Sequence, residues 1–156
     1  MYSLGTDEDM RSAVKRYSPM MLHSAFVLLR NSQDAEDAVQ ESFLKLIKKQ
    51  PAFRDEEHLK AWLLRVTVNT AKDMLRSSAR KCTELVEEIT FEYDENTDLL
   101  NEVLELPEKY RLVIHLYYYE GYSVNEIAEI ISRPPSTVRT RLDRGRKMLR
   151  TSLEGE

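Results

Sequence analysis

The stretch Gly121–Arg150, GYSVNEIAEIISRPPSTVRTRLDRGRKMLR, decides the fold. Ser123 followed three residues later by Glu126 is a capping box, and it opens a short helix whose Ile127, Ile130 and Ile131 share one face. Ser132-Arg133-Pro134-Pro135 cannot continue that helix. The first proline pushes Arg133 out of the α region, and Pro135 suits the opening turn of a new helix. Beyond it Val138, Leu142 and Leu149 can face a core, while Arg139, Arg141, Arg144, Arg146, Lys147 and Arg150 supply six cations to the outside. Two helices, a tight turn and a basic second helix spell helix-turn-helix. Such a second helix can enter the major groove with its first turns against base edges and its flanks against phosphates. Spacing alone also permits an amphipathic hairpin with a solvated basic face.

The net charge of −4 over 156 residues argues against a nucleic-acid binder until its distribution is counted. Residues 1–80 carry 13 Lys/Arg against 11 Asp/Glu, residues 81–108 carry 1 against 10, and residues 109–156 carry 9 against 6. The acidity therefore sits in the middle, between two mildly basic ends. Few glycines and prolines, abundant Leu, Glu, Lys and Arg, and no sustained alternation predict an all-α protein. Cys82 is alone, which excludes an internal disulfide or a cysteine zinc cluster, and three scattered histidines make no ligand pattern, so no cofactor or metal is expected. The N-terminus lacks the features of an export signal, and no run approaches the roughly 20 apolar residues of a membrane span. A soluble, cytoplasmic protein is expected.

Taken in order, Thr6 with Asp7, Glu8 and Asp9 starts a helix, which Ser18-Pro19 should restart and Asn31-Ser32 should break. In SQDAEDAVQESFLKLIKKQP (32–51), Ser32 can cap a helix with a buried stripe of Ala35, Val39, Phe43, Leu46 and Ile47. Asp34, Asp37, Glu41, Lys45 and Lys48 follow another face, with Gln40 beside them, and from charge alone that face is an ordinary solvated one. After Pro51 and a loop, HLKAWLLRVTVNTAKDMLRSSARK (58–81) can bury Leu59, Leu63, Val66, Thr70 and Met74. Trp62, Arg65, Asn69, Lys72 and Arg76 form a separate stripe of one aromatic, three cations and an amide, a combination that suits phosphates, base edges and unpaired bases. Trp62 fits the core as well as it fits that stripe. From Ser77 the pattern dissolves into a polar, acidic linker. Asp98 can then cap a short helix, and Pro107 opens another that buries Tyr110, Val113, Ile114 and Tyr117 and ends at Gly121. The run Tyr117-Tyr118-Tyr119 is scattered around that helix, which favours core or rim packing over stacking on a ligand.

The stretches DAEDAVQESFLKL (34–46), AWLLRVTVNTAKDMLR (61–76) and the one from Leu106 to Arg150, in this order, resemble the extracytoplasmic-function (ECF) sigma factors, small bacterial proteins that direct RNA polymerase to promoters. The resemblance covers nearly the whole chain. It implies two small helical domains on a tether: a sigma region 2-like domain over 1–78, an acidic linker over 79–97 and a sigma region 4-like domain over 98–156. It recasts Asp34, Asp37, Gln40 and Glu41 as a surface that binds core RNA polymerase. It assigns Arg54, Arg65, Asn69, Lys72 and Arg76 to minus-ten promoter DNA during strand opening. Ser136, Thr137, Arg139, Thr140, Asp143 and Arg144 match the positions that read the minus-thirty-five element. It also implies control by an anti-sigma factor of the membrane-tethered kind, and no small-molecule substrate. The turn departs from the family's frequent Gly-Ile-Pro-x-Gly-Thr-Val, having Ser136 where the second glycine falls, which leaves the preferred duplex sequence open.

Two other classes compete. A stand-alone helix-turn-helix regulator would bind duplex DNA by itself, usually as a dimer. An enzyme is the distant third, since no phosphate loop, metal cluster or nucleophile–base pair is apparent.

Overall fold

Helices are the only extended elements among the described residues, as the composition leads one to expect. The computed structural model describes residues 4–78 and 97–154, and the chain divides into two units, Met1–Leu85 and Val86–Glu156. Residues 79–96 of the expected linker lie outside the described residues.

In the first unit α1 (Asp7–Leu29), α2 (Ser32–Lys49) and α3 (Glu56–Ser78) pack pairwise around one core. Thr6 caps α1, its hydroxyl accepting from the Asp9 N–H at 3.1 Å, with three carboxylates in the first turn to complement the dipole. The helix does not restart at Pro19 but runs straight through it. Pro19 is exposed, so the carbonyl deprived of its partner faces water, and Ser18 Oγ donates to the Val14 carbonyl at 2.5 Å. Arg30, at φ 55°, ends α1, and the chain leaves it extended at Asn31. Asn31, not Ser32, is therefore the cap of α2, accepting from the Asp34 N–H at 2.8 Å.

Because α2 packs against both α1 and α3, its buried sector turns toward the small residues Ala38 and Ser42, which let the helices approach. Ala35, Val39, Phe43 and Leu46 are buried as their spacing predicts, but Ile47 is left 48% exposed. On α3 Leu59, Leu63 and Thr70 are buried, whereas Val66 and Met74 are half-buried and Leu64, Val68 and Ala71 take the centre. Asp55 caps that helix through its carboxylate, which accepts from the His58 N–H at 2.8 Å. Phe53, expected in an open loop, is only 2% exposed and joins the core cluster with Tyr17, Met21, Phe43, Leu46, Leu59 and Leu63.

In the second unit α4 (Thr97–Leu104), α5 (Glu108–Ile114), a π-helical turn (His115–Tyr119), α6 (Val124–Ile131) and α7 (Pro135–Glu154) follow one another. Asp98, expected as a cap, lies inside the first turn of α4. Helices α4, α5 and α6 all pack on α7. The capping box of α6 is complete: the Glu126 N–H reaches Ser123 Oγ at 3.2 Å, and the Ser123 N–H reaches Glu126 Oε1 at 3.0 Å. Ile127, Ile130 and Ile131 are buried, as are Val138 and Leu142 opposite them, while Leu149 is half-buried. Ser132 turns left-handed at φ 57°, and Pro135 begins α7. Gly121, at φ 78°, ends the preceding segment as expected. Gly145 is buried on α7, where a Cβ would lie 3.1 Å from Ile114 Cγ1, so α5 and α7 are in close approach.

Candidate functional site

The charged face of α2 stands in water. Asp37, Gln40 and Glu41 are exposed, and Asp34 is half-buried where α2 meets α3. Its partners are local: Gln33 Nε2 donates to Asp37 at 3.2 Å, and Lys45 lies 3.8 Å from Glu41. Lys45 also donates to Thr70 Oγ1 at 3.0 Å, linking the carboxylate face to α3. Asp34 and Glu41 line an open depression of about 290 Å³ together with Thr70, Asp73, Met74 and Ser77. The Lys45–Thr70 contact escapes a reading by period, because it joins the charged stripe of one helix to the buried stripe of another.

The second set spans α3 and the loop before it. Arg54, Arg65, Asn69 and Arg76 are exposed and Lys72 is half-buried, so the polar stripe predicted for this helix is outside the core. Arg76 has an Asp73 carboxylate at 3.8 Å, a distant pair between well-exposed groups. The loop carrying Arg54 is tied back on the helix: its N–H donates to His58 Nδ1 at 3.1 Å, and the buried Phe53 ring meets His58 edge-on. Trp62 resolves as half-buried, its ring 5.8 Å from that of Phe53 and steeply inclined to it. It is both a lid on the core and a part of the surface.

The third set belongs to α7. Ser136, Arg139, Thr140, Asp143 and Arg144 are exposed, and Thr137 is half-buried. The six cations are not equivalent. Arg146 Nε donates to the Tyr118 hydroxyl at 2.5 Å, its guanidinium lies 5.5 Å from the ring centres of both Tyr117 and Tyr118, and its Nη1 donates to Asp143 at 3.0 Å. The Tyr118 hydrogen bond is the main reason that the Arg146 guanidinium holds its proton more tightly than usual. On the other flank the Arg144 guanidinium is the main influence that lowers the pKa of the Tyr110 phenol, while burial opposes the shift and Lys109 adds to it. Arg141 is half-buried; loss of solvent, then the nearby Arg133, lowers its pKa.

The π-helical turn places the tyrosines. Its wider winding carries Tyr117 and Tyr118 together toward Arg146 and leaves Tyr119 stacked on His115, ring centres 5.2 Å apart. His115 is buried with Glu120 Oε1 3.4 Å from its Nε2, and burial pushes the imidazole below its ordinary pKa while Glu120 opposes the shift. The tyrosine run thus serves the rim, and what the sequence could not disclose is its partner on α7. Among the described residues no group of His, Cys, Asp and Glu is arranged to hold a metal, and no helix is long and apolar enough to cross a membrane.

The described residues thus form two helical units, one with an acidic helix face and a polar–cationic helix, the other with a basic helix-turn-helix. Comparison with known proteins agrees. Residues 13–81 match the family Sigma-70 region 2, and residues 97–149 match Sigma-70, region 4. The chain is 35% identical to RNA polymerase sigma factor SigV of Bacillus subtilis over 140 residues, covering 85% of this chain and 83% of SigV. It is 34% identical to the ECF RNA polymerase sigma-E factor of Haemophilus influenzae, covering 78% of this chain and 75% of that protein. In fold it is similar to sigma factor RpoE from Bartonella quintana, solved in complex with the anti-sigma factor NepR, with a TM-score of 0.77, 23% identity, and 94% and 98% of the two chains covered. A TM-score of 0.74 relates it to CnrH, solved in complex with the cytosolic domain of CnrY, again at 23% identity, with 97% and 92% covered. The chain belongs to the ECF sigma factors of bacterial RNA polymerase.

Proposed function

We propose that the three exposed sets divide the work of transcription initiation among them. Asp34, Asp37, Gln40 and Glu41 dock the first unit on core RNA polymerase. Arg54, Arg65, Asn69, Lys72 and Arg76 hold minus-ten DNA as it opens, offsetting the cost of unpairing with contacts to splayed bases and backbone. Ser136, Thr137, Arg139, Thr140, Asp143 and Arg144 meet the minus-thirty-five duplex in the major groove. The boundaries 1–78, 79–97 and 98–156 separate these roles, with the acidic segment as tether. The chain acts without enzymatic activity of its own, in the cytoplasm. An anti-sigma factor, as in the solved complex of RpoE with NepR, holds it inactive by covering one or more of these surfaces.

The observation that carries this assignment is the segregation of charge: a carboxylate face on α2, cations with an amide on α3, and cations on α7, each set outside the core of its unit. It is tested by transcription in vitro with core polymerase and a promoter library. Asn69→Ala is expected to impair initiation on duplex promoters more than on pre-melted ones, and equal loss on both would remove strand opening from its role. Arg139→Ala is expected to flatten preference at one or two minus-thirty-five positions, whereas Lys147→Ala lowers all promoters alike and makes the salt slope shallower by about one unit. An unchanged profile for Arg139→Ala would leave that residue gripping phosphate only.

A further inference from the structure

Arg146 is a cation of α7 whose guanidinium is engaged within its own unit. Its guanidinium is held at three points that lie on the preceding segment: the Tyr118 hydroxyl at 2.5 Å and the faces of the Tyr117 and Tyr118 rings, each centred 5.5 Å away. One of the two remaining nitrogens, Nη1, donates to Asp143 Oδ1 at 3.0 Å. An exposed Arg–Asp pair three residues apart ordinarily contributes little, because two long side chains must be immobilised in water. Here Arg146 has already been immobilised by the tyrosines. Its side chain is 36% exposed, and the Asp143 side chain that it orients is 69% exposed.

A carboxylate on the outer face of a groove-binding helix has a problem and a use. The problem is repulsion from phosphates, which a fixed guanidinium beside it reduces. The use is acceptance of a hydrogen bond from an exocyclic amino group, cytosine N4 being the donor that a carboxylate takes in the major groove. Arg139 lies one turn before Asp143 on the same flank of α7, within reach for a competing i,i+4 pair. With its carboxylate already held from behind by Arg146, Asp143 leaves Arg139 to the DNA.

We propose that Tyr118 is a specificity-positioning residue: through Arg146 it fixes the Asp143 carboxylate as the acceptor for the amino group of one cytosine in the minus-thirty-five element. This rests on the placement of α7 in the major groove, proposed above. The test is transcription in vitro by core polymerase with the full chain, on a library randomised across the minus-thirty-five element. Wild type, Tyr118→Phe, Arg146→Lys and Asp143→Asn are compared. Asp143→Asn is expected to abolish the cytosine preference at one position. Tyr118→Phe, which keeps both ring faces and loses only the hydroxyl, and Arg146→Lys, which keeps the charge and loses the fork, are each expected to weaken discrimination at that same position by about three- to tenfold and at no other. A Tyr118→Phe profile identical to wild type would overturn the tether while leaving the placement of α7 intact. So would a uniform loss at every position accompanied by a lowered melting temperature, which would make Tyr118 merely structural. A wild-type chain without any minus-thirty-five preference would instead overturn the placement of α7.

Discussion

The two units hold their helices by different means. In the first, helices of 23, 18 and 23 residues bury long stripes against one another, so each carries many apolar contacts per cap. In the second, α4, α5 and α6 are 8, 7 and 8 residues long, lengths at which an isolated helix does not persist in water. These short helices depend on end chemistry, namely Pro107, Gly121 and the Ser123–Glu126 box, and on a common support, α7. The same contrast extends to their exposed charges. The acidic face of α2 has local partners within its own helix and a bond to α3, whereas Arg146 of α7 is held by tyrosines from elsewhere in the unit. A surface for a protein partner can remain mobile until it docks, while a surface that reads a duplex gains from being shaped beforehand.

Core deletions should give the largest effects and should separate the units. Leu63→Ala and Ile127→Ala each remove a fully buried side chain and are expected to cost about 2–5 kcal/mol. Followed by heat or denaturant with a reporter in each unit, Leu63→Ala should lower only the first transition and Ile127→Ala only the second; a shared shift would mean that the units do not unfold separately. Caps come next. Ser123→Ala is expected to cost about 1–2 kcal/mol, because α6 has only 8 residues over which to spread the loss, and Thr6→Ala about 0.5 kcal/mol, because α1 can fray by a turn and retain its core contacts. Equal costs would remove the distinction between end-held and stripe-held helices.

A smaller effect separates the units by pH. His115 is buried and its folded pKa lies below the unfolded value of about 6.5, so the unfolded state binds the proton more readily. Its contribution to stability is therefore present above that value and is lost as pH falls through it toward the folded pKa. Titration of the imidazole by NMR should place His115 below 6.5, and acidification from pH 7.5 should weaken the second unit through this group; a His115 titration at or above 6.5 would cancel the effect. The smallest change in stability is expected from Asp37→Lys with Glu41→Lys, within about 0.5 kcal/mol because both positions are exposed. Co-purification with core polymerase should nevertheless fall by roughly tenfold or more, as for charge reversal at a complementary interface. Undiminished binding by the folded double variant would sink the docking assignment.

Much of this molecule was legible one residue at a time, and the exceptions have a common cause. The capping box, the Ser132–Pro135 turn and the isoleucine face of α6 all rest on neighbours within four residues, which sequence displays directly. The apolar stripes of α2 and α3 were also visible, but their edges were not: whether Ile47 or Ala38 is buried depends on where two other helices lie. Phe53 is buried although its own segment has no period at all, because it docks on Trp62 and His58 of the helix that follows. Pro19 looked like a break, since a proline's effect depends on whether the orphaned carbonyl can face water. The exposure of most candidate site residues on the helices follows from helical spacing, but Asp34, Lys72 and Thr137 are half-buried and Arg54 lies in a loop. The differing states of the α7 arginines do not follow from spacing, since Tyr118 and Arg146 are 28 residues apart and meet only through a π-helical turn that no local signal announces.

Three helices end on residues that are not glycine yet take the left-handed conformation: Arg30 at φ 55°, Gln50 at φ 41° and Ser132 at φ 57°. A side chain there costs about 1–2 kcal/mol that glycine would avoid, against roughly 0.5–1 kcal/mol returned to the unfolded chain by glycine's freedom. The molecule accordingly has unused thermal headroom at its joints. Ser132→Gly is the place to claim it for the second unit, since Ser132 ends the helix that packs on α7, and a chain so altered would offer a sturdier scaffold on which to redesign the face of α7 proposed to read bases.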